Sequence, residues 1–599
     1  MVSSCQKQWE QIGLKSRSGV SVPLFSLYSQ KSIGIGDLSD LKLLVDWCKA
    51  TAMSIIQLLP MNDVGFDFRP YDAQSTFALE PMYLSLTNLI KANTKPFLDK
   101  IKSLKKQFPS GGTRVNYAIK RTKMDLLWKI FRNSYKEISP AFERFIEQNQ
   151  FWLKDYVLFK VIKENHQWKS WEEWEISLKQ RDLNAIQSVE WMNHERIQFH
   201  QWLQWQLFEQ FRAIKEYAAR KKILLMGDLP FLVSRDSADV WANQEYFKLD
   251  RVSGAPPDMY VANGQRWGMP PYHWENIAVR GYDYLVEKLR YAENFYDLFR
   301  IDHVVGVFRL WTIASTQPPE QGGLYGIFDP QDECLWEEHG RRLLSVMIEN
   351  AKMLICGEDL GTVPACSYKV LDELGIPGMD VQRWNRDWGK SYDFKNPQEY
   401  RKNSIAVITT HDMSLLKAWW EYEAGTIDET FFRRKCQEKG IPFEQLKEKL
   451  FQLGKSCYGR LRWKKEIRDT RTLAEILGRQ ESEIVDLMDA FRSSYDEKEK
   501  FWNHLGLDGE PQEKSSSVFI RRSLEKINSS ASIFSIQLLG DWLSLGDFFQ
   551  EDSLNFRVNF PGTMNDRNWS VVMPLSLEEM QKLAINKEIR RMNHEAGRI

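Results

Sequence analysis

Three acidic residues in the second half of the chain each end a short apolar run with the character of a β-strand. They are Asp302, Glu358 and Asp412. The sequence between successive acids is long enough for a strand, a helix and their loops, so no two of them belong to one hairpin. A (β/α)8 barrel places its catalytic residues at the C-terminal ends of its strands, where residues from several strands meet. The spacing therefore predicts that the three carboxyl groups converge at one end of a barrel.

Such a group of carboxyl groups suits the cleavage of a glycosidic bond. Retaining cleavage needs one ionised carboxylate as nucleophile and one protonated carboxyl group as acid, about 5–5.5 Å apart. A third acid can bind sugar hydroxyls and stabilise the oxocarbenium-like transition state. Arg300 lies two residues before Asp302, so both side chains share a face of a strand, and the guanidinium would keep the carboxylate ionised.

The segments around these acids resemble the α-amylase clan. More of the chain resembles the 4-α-glucanotransferases of glycoside hydrolase family 77, known as amylomaltases or disproportionating enzymes. Segments similar to that family occur in order at residues 24–27, 33–38, 69–71, 75–78, 226–231, 236–241, 256–258, 264–268 and 557–563.

One segment resembles a particular branch of the family. Residues 410–420 are most similar to the plant-type cytosolic disproportionating enzymes, which move glucosyl units between maltose and a branched glucan. Those enzymes carry starch-binding modules in front of the barrel. Here barrel-like sequence begins by about Gly19, so we expect no such modules.

The resemblance implies roles for the predicted catalytic residues. Asp302 corresponds to the nucleophile, Glu358 to the general acid/base and Asp412 to the transition-state stabiliser, with Arg300 and His411 in supporting positions. Glu358 must hold its proton near neutral pH, which requires burial or a nearby negative charge. Esterification of Asp302 should then lower the pKa of Glu358 and allow it to act as a base.

The resemblance also implies sugar-binding residues. Tyr71 and Trp267 lie in Gly- or Pro-containing loops similar to sugar loops of the family. Asp228 would lie near the reactive subsite, with the alternative that it only shapes a turn before Leu-Pro. Asn559 would bond an acceptor hydroxyl, with the alternative that it is a turn former. His303 is expected to be positioned by the fold rather than catalytic.

The expected reaction is retaining transfer by an enzyme. Glucosyl or maltooligosyl units would move from an α-1,4-glucan or maltose to the 4-hydroxyl of another glucan, such as glycogen or starch. The alternative within this chemistry is a hydrolytic α-glucosidase or amylase that uses the same three acids. An alternative of another class is a glucan-binding protein that has lost its activity. The loop Gly254–Trp274 is a candidate lid that would exclude water.

The predicted fold class is α/β, a single catalytic (β/α)8 TIM barrel spanning residues 1–599. Helical periodicity predicts inserted helical subdomains at about residues 83–222 and 413–530. Apolar strand character returns at residues 532–539, a candidate last strand. The sequence after Asn559 is too short for the β-sandwich of about 100 residues that follows the barrel in most amylase-clan hydrolases, so we expect none.

Composition excludes several classes of protein. Lys+Arg and Asp+Glu both number 81, which gives no electrostatic reason to expect a nucleic-acid or membrane partner. The seven cysteines are scattered and odd in number, and Met1–Arg17 lacks an apolar signal core, so we expect reduced thiols and a cytoplasmic location. Without metal-ligand or phosphate-binding motifs we expect no cofactor and no catalytic metal. The sequence leaves the oligomeric state open.

Overall fold

The computed structural model describes residues 4–134, 139–257, 263–549 and 552–599. Its contacts divide the chain into two compact units. Unit 1 comprises Met1–Ala255, Arg266–Met379 and Met564–Ile599, and unit 2 comprises Pro256–Gln265 and Asp380–Thr563.

Unit 1 is built on five parallel strands that are neighbours in chain order: β1 (Arg17–Val22), β2 (Ile55–Leu58), β3 (Leu224–Leu229), β4 (Leu298–Ile301) and β5 (Leu354–Gly357). Four of the five are buried at every position, and only the first residue of β3 is partly exposed. Parallel strands with both faces covered read as continuous apolar runs, which explains why the sequence signal was clear here.

Helices fill the connections between these strands and cover their outer side. The helices of unit 1 are Gln6–Ile12, Asp40–Ala50, Leu98–Gln107, Ile119–Ser134, Pro140–Gln148, Gln150–Asn165, Ile176–Lys179, Leu183–Met192, His194–Lys221, Ala238–Ala242, Trp274–Val279, Asp283–Ala292, Trp336–Asn350, Ala365–Leu374, Leu577–Met580 and Ile585–Glu595. A smaller antiparallel sheet pairs Leu310–Ala314 with Arg251–Ala255 on one side and with Ile327–Asp329 on the other.

The longest helix of unit 1, His194–Lys221, holds the loop that follows β2. Three buried glutamines, Gln204, Gln206 and Gln210, each accept from the N–H and donate to the C=O of one loop residue. The loop partners are Leu79, Ile90 and Ser85 in that order, at 2.8–3.1 Å. A side-chain amide that pairs with a backbone amide in this way replaces the hydrogen bonds of a strand neighbour, so the loop keeps one conformation.

Three further parallel strands belong to the same eight-stranded sheet. The chain passes from unit 1 to unit 2 within the first of these three. They are β6 (Gly378–Val381), β7 (Ser404–Val407) and β8 (Phe534–Leu538), adjacent in that order. The buried amide of Gln537 in β8 accepts from Ile408 N–H at 2.8 Å and donates to Ala406 C=O at 3.1 Å, so its polar atoms are paired inside the unit.

Most of unit 2 between β7 and β8 is helical. Its helices are Leu416–Ala418, Glu429–Glu438, Phe443–Leu450, Thr470–Leu477, Val485–Ser494, Glu497–His504 and Ser517–Asn528, with Leu539–Leu543 after β8 and a π-helical turn at Trp419–Glu423. A short hairpin pairs Thr426–Asp428 with Arg460–Arg462. Buried aromatic residues, among them Phe432, Trp463 and Phe491, give this region a hydrophobic core of its own.

The predicted fold class requires eight parallel strands, and the structure has eight in one sheet. Most of the helices between β2 and β3 lie at residues 98–134 and 140–221, and most of those between β7 and β8 lie at residues 416–528. The domain boundaries assigned from the sequence stay predictions. No helix in the described part of the chain is both long enough and apolar enough to cross a bilayer.

Candidate active site

Asp302 and Glu358 directly follow neighbouring parallel strands of unit 1. Asp302 comes one residue after the end of β4, and Glu358 comes one residue after the end of β5. The backbone ladder continues past both strands, because Glu358 N–H donates to Ile301 C=O at 3.0 Å and Asp302 N–H donates to Leu229 C=O at 3.3 Å. Both acids are therefore anchored by backbone hydrogen bonds at the C-terminal ends of their strands.

A single guanidinium connects the acids of unit 1. Arg300 Nη1 donates to both carboxylate oxygens of Asp228, at 2.8 and 2.7 Å, and to Asp302 Oδ1 at 3.1 Å. Arg300 Nη2 lies 4.0 Å from Glu358 Oε2. Burial disfavours the charge of Arg300, but the surrounding carboxylates, Asp228 above all, raise its pKa well above the usual value. Arg300 therefore stays charged and holds Asp302 in one orientation.

Asp228 and Tyr71 form the outer part of the same network. Asp228 lies in β3 directly opposite Arg300 in β4, so strand register itself brings the two together. Tyr71 Oη donates to Asp228 Oδ2 at 2.8 Å, and the ring of Tyr71 lies 5.7 Å from that of Trp569, centroid to centroid. The Asp228 side chain is fully buried. Asp228 thus connects the loop after β2 with the arginine that holds Asp302.

Glu358 occupies a different electrostatic environment from Asp302. Its side chain is 14% exposed, whereas that of Asp302 is 31% exposed. Burial and the nearby charge of Asp302 raise the pKa of Glu358 to about 8, although Arg300 and the His303 N–H act in the opposite direction. At neutral pH Glu358 therefore carries its proton, as a general acid must.

Trp267 packs against the residue that follows Asp302. The rings of Trp267 and His303 meet edge to face, with centroids 4.9 Å apart and planes at 82°. Removal from water, together with the positive charges of Arg309 and Arg300, lowers the pKa of His303 to about 4, so its imidazole is neutral at neutral pH. Of the predicted lid at 254–274, residues 258–262 lie outside the described residues, and so does the end of the family-like segment 256–258.

Unit 2 brings together the third acid and two other predicted residues. Asn559 Nδ2 donates to Asp412 Oδ1 at 2.7 Å, and Asn559 N–H donates to His411 C=O at 3.2 Å. His411 Nε2 lies 3.5 Å from Asp412 Oδ2. The Asp412 side chain is 43% exposed, so the carboxylate is oriented by its neighbours yet open to a ligand.

Arg557 supports this third acid and was missed in the sequence. Its Nη2 donates to Asp412 C=O at 2.6 Å and its Nη1 to Ser414 Oγ at 3.2 Å, and Glu423 Oε1 lies 3.6 Å from the same Nη1. Arg557 lies two residues before Asn559, just as Arg300 lies two residues before Asp302. This spacing is the sequence signal that could have identified Arg557.

Comparison with known proteins supports the assignment made from the sequence. The sequence pattern of glycoside hydrolase family 77, described as 4-alpha-glucanotransferase, matches residues 22–576. A 4-alpha-glucanotransferase of Chlamydia muridarum is 31% identical over 588 residues, which cover 96% of this chain and 95% of the relative. The rice protein named 4-alpha-glucanotransferase DPE2 is 27% identical over 68% of this chain and 58% of its own length, so a plant protein stands among the relatives.

Solved structures show the same fold. The amylomaltase from Streptococcus agalactiae superposes with a TM-score of 0.72 at 21% identity, covering 98% of this chain and all of the other. The amylomaltase from Corynebacterium glutamicum gives a TM-score of 0.67 at 21% identity, covering 98% of this chain and 76% of the other.

The predicted (β/α)8 barrel is therefore confirmed, and so is the predicted family. The match extends over nearly the whole chain, and relatives of similar length carry the same name. The chain belongs to glycoside hydrolase family 77 and is a 4-α-glucanotransferase.

Proposed function

We propose that the chain transfers glucosyl or maltooligosyl units by a retaining double displacement, with Asp302 as nucleophile and Glu358 as general acid/base. The donor is an α-1,4-glucan or maltose, and the acceptor is the 4-hydroxyl of another glucan. The observation that carries this proposal is the contrast between the two acids. Arg300 bonds Asp302 at 3.1 Å, while burial raises the pKa of Glu358 to about 8. Paired carboxyl groups in such different environments divide into nucleophile and acid.

In the first step an oxygen of Asp302 bonds to the anomeric carbon as the glycosidic bond breaks. The proton of Glu358 passes to the departing oxygen, which leaves as the hydroxyl of the shortened glucan. Arg300 holds Asp302 charged and oriented for this attack, so the nucleophile needs little reorganisation. The product of the step is a glycosyl ester of Asp302.

In the second step Glu358 changes role. Formation of the ester removes the negative charge of Asp302, which is one cause of the raised pKa of Glu358. The pKa of Glu358 therefore falls, and its carboxylate can take the proton of the incoming 4-hydroxyl. The hydroxyl oxygen bonds to the anomeric carbon, and the ester bond to Asp302 breaks. Two inversions leave the new linkage in the α configuration.

The remaining predicted residues are proposed to bind sugar. Asp412, partly exposed and held by Asn559, would bond hydroxyls of the reacting sugar more strongly in the transition state, with His411 beside it. Tyr71 and Trp267 offer aromatic faces, and Asp228 acts through Arg300 and Tyr71.

The comparisons support a malto-oligosaccharide as substrate. The S. agalactiae amylomaltase was solved in complex with acarbose, a finding that concerns that protein and motivates the substrate proposed here. All seven cysteines are free, which supports the proposed cytoplasmic location because reducing compartments keep thiols unpaired.

Product analysis tests the proposal. Purified protein is incubated with maltotriose, and separately with maltose and glycogen, while chain lengths, free glucose and reducing ends are followed. Transfer predicts a ladder of longer oligomers with a constant number of reducing ends, and proton NMR should show new α linkages. A matching rise of glucose, maltose and reducing ends would identify a hydrolase instead. Binding without turnover would favour the glucan-binding alternative.

Two variants test the assigned roles in the same assay. Asp302→Asn and Glu358→Gln should each lower turnover by about 10³-fold or more while the circular dichroism spectrum is unchanged. Near-normal turnover in either variant would overturn the role given to that residue.

A further inference from the structure

His303 adopts a backbone conformation that is unusual for a residue with a side chain. Its φ is 51° and its ψ is 55°, in the left-handed region. Residues other than glycine rarely adopt this conformation, because Cβ approaches the backbone carbonyl, although Asn, Asp and His tolerate it better than most. A left-handed residue directly after the proposed nucleophile is a local strain that the surrounding structure must hold in place.

The unusual conformation directs the His303 amide towards the other acid. His303 N–H donates to Glu358 Oε2 at 2.8 Å. One residue later, Val304 N–H donates to the backbone carbonyl oxygen of Glu358 at 3.1 Å. The turn after β4 therefore holds Glu358 both at its carboxyl group and at its backbone.

The imidazole contributes differently from the amide. It packs edge to face on Trp267, and no imidazole nitrogen of His303 forms a hydrogen bond or ion pair in the described part of the chain. Gly306 follows closely, and a Cβ there would come within 3.0 Å of the imidazole and of the Phe231 ring. The ring thus fills a confined space beside Gly306 and Phe231.

We propose that His303 is a positioning residue that acts on Glu358 through its left-handed backbone amide rather than through its imidazole. This inference rests on the proposed role of Glu358 as general acid/base. The amide fixes which carboxylate oxygen is bonded and stabilises the ionised form, while the opposite oxygen remains available for the proton. The bond thus limits how far burial can raise the pKa of the acid.

The other charged groups around Glu358 come from three places. Arg300 in β4 favours the ionised carboxylate, whereas Asp302 after β4 and Asp359 after β5 favour the protonated form. Around the His303 ring the charged groups are Arg309 and Arg300. None of these groups is altered by a substitution at position 303, so a shift in the titration of Glu358 that occurs in His303→Val but not in His303→Asn would report the amide bond.

Substitutions of matched size separate the amide from the imidazole. His303→Asn and His303→Val both remove the ring and its contact with Trp267. Asparagine tolerates the left-handed region, whereas a β-branched residue strongly resists it. His303→Gly adopts the conformation freely, and His303→Ala stands between asparagine and valine.

The readout is the alkaline limb of the profile of kcat/KM against pH, which reports the pKa of the free acid. Each reaction with maltotriose runs at its own pH and is then quenched. The released glucose is measured for all samples at one common pH. We expect the limb to stay in place in His303→Asn and His303→Gly, and to move upward by about one pH unit in His303→Val. The limb in His303→Ala should be intermediate, which keeps the test open if His303→Val does not fold.

Two results would overturn the inference. One is an equal shift of the limb in the asparagine, glycine and valine variants, which would assign the effect to the lost imidazole. The other is an unchanged limb in all of them. The control Glu358→Gln distinguishes this failure from a failure of the proposed function. If Glu358→Gln retains activity, the role of Glu358 is wrong. If it abolishes activity while the profiles of the His303 variants coincide, only the amide mechanism fails.

Discussion

At the scale of single residues, Arg300 connects the acids of unit 1. Its guanidinium bonds Asp228 and Asp302 and lies 4.0 Å from Glu358, with only 6% of the side chain exposed. Arginine suits this position because its planar guanidinium fixes the direction of Nη1, which bonds Asp228 and Asp302, and keeps Nη2 on the side of Glu358, whereas a lysine ammonium is a freely rotating point charge. The charge of the residue and its geometry can therefore be tested separately.

We expect Arg300→Lys to fold but to lose activity. The charge is kept, so the buried carboxylates remain compensated, but a flexible ammonium lacks the rigid plane that holds Nη1 of Arg300 against both Asp228 and Asp302. The expected loss in kcat/KM is about 10²–10⁴-fold, the range for a misplaced catalytic group. Kinetics on maltotriose measure the loss of activity, and circular dichroism shows whether the variant is folded.

A matched arginine controls for general effects of the Arg-to-Lys change. Arg251 also lies in a strand of unit 1 and donates to Thr312 Oγ1 and C=O at 2.8 Å, without contact to the acids. Arg251→Lys should leave kcat/KM within about twofold. Comparable activity of the two lysine variants would show that the planar geometry of the Arg300 guanidinium does not matter.

The sequence predicted the contact between Arg300 and Asp302 but not the other hydrogen bonds around them. Asp302 and Arg300 share a strand face, so their contact followed from a spacing of two. The bond between Asp228 and Arg300 joins residues 72 positions apart and depends on the register of β3 against β4. The left-handed turn at His303 likewise leaves no mark on the sequence, since histidine occurs in every backbone conformation.

At the scale of elements, the helices between β2 and β3 hold the loop that carries Tyr71. Two lysines from different helices converge on buried Asp63 near the start of that loop. Lys120 Nζ lies 3.1 Å from Asp63 Oδ1 and 2.7 Å from Glu80 Oε1, and Lys160 Nζ lies 2.7 Å from Asp63 Oδ2. Burial alone would raise the pKa of Asp63, but the two lysines hold it well below the usual value.

We expect Lys120→Met to be strongly destabilising. Methionine fills a similar volume but leaves Asp63 and Glu80 buried with one cation fewer, which costs about 3–5 kcal/mol of unfolding free energy. Urea unfolding followed by circular dichroism measures this loss. The exposed pair of Lys102 with Asp99 provides the control, and Lys102→Met should change the unfolding midpoint little.

The same variant has a predictable response to pH. Burial raises the pKa of Glu80 and Lys120 opposes that rise, so removing Lys120 raises the pKa further. A carboxyl group with a raised pKa in the folded state destabilises the fold while it is charged and ceases to do so once protonated. The deficit of Lys120→Met should therefore shrink as the pH falls from neutrality towards the ordinary pKa of a glutamate side chain. A deficit that is constant or grows on acidification would contradict this account.

Helical periodicity predicted the helices between β2 and β3, but it did not predict that they hold the loop that carries Tyr71. In sequence, the three glutamines of His194–Lys221 look like the polar side of an exposed helix, and so do Lys120 and Lys160 in their own helices. Their burial follows from the loop that they bind, and no local pattern encodes that loop. Polar residues inside long helices are thus the places where sequence reasoning was least informative.

At the scale of the whole molecule, the fold class was predictable because it depends on a repeated local signal. The apolar runs before Asp302 and Glu358 are two of the eight parallel strands, and the family resemblance implied the rest of the barrel. The predicted last strand at residues 532–539 differs from the observed Phe534–Leu538 only at its ends. The division of the chain into two compact units had no such signal, since it depends on which segments pack together.

The balance of charge over the whole molecule leads to a last prediction. Equal numbers of acidic and basic residues, 81 of each, and a pI of about 7.1 leave no net charge to produce a long-range field at neutral pH. A neutral glucan would gain nothing from such a field in any case, so its encounter with the protein should not depend on salt.

We expect kcat/KM for maltotriose to change by less than about twofold between about 0.05 and about 0.5 M sodium chloride. The ion pairs of Arg300 should persist at high salt, because buried pairs are poorly screened. A tenfold fall in kcat/KM with unchanged circular dichroism would contradict this prediction and would point to a charged substrate or partner.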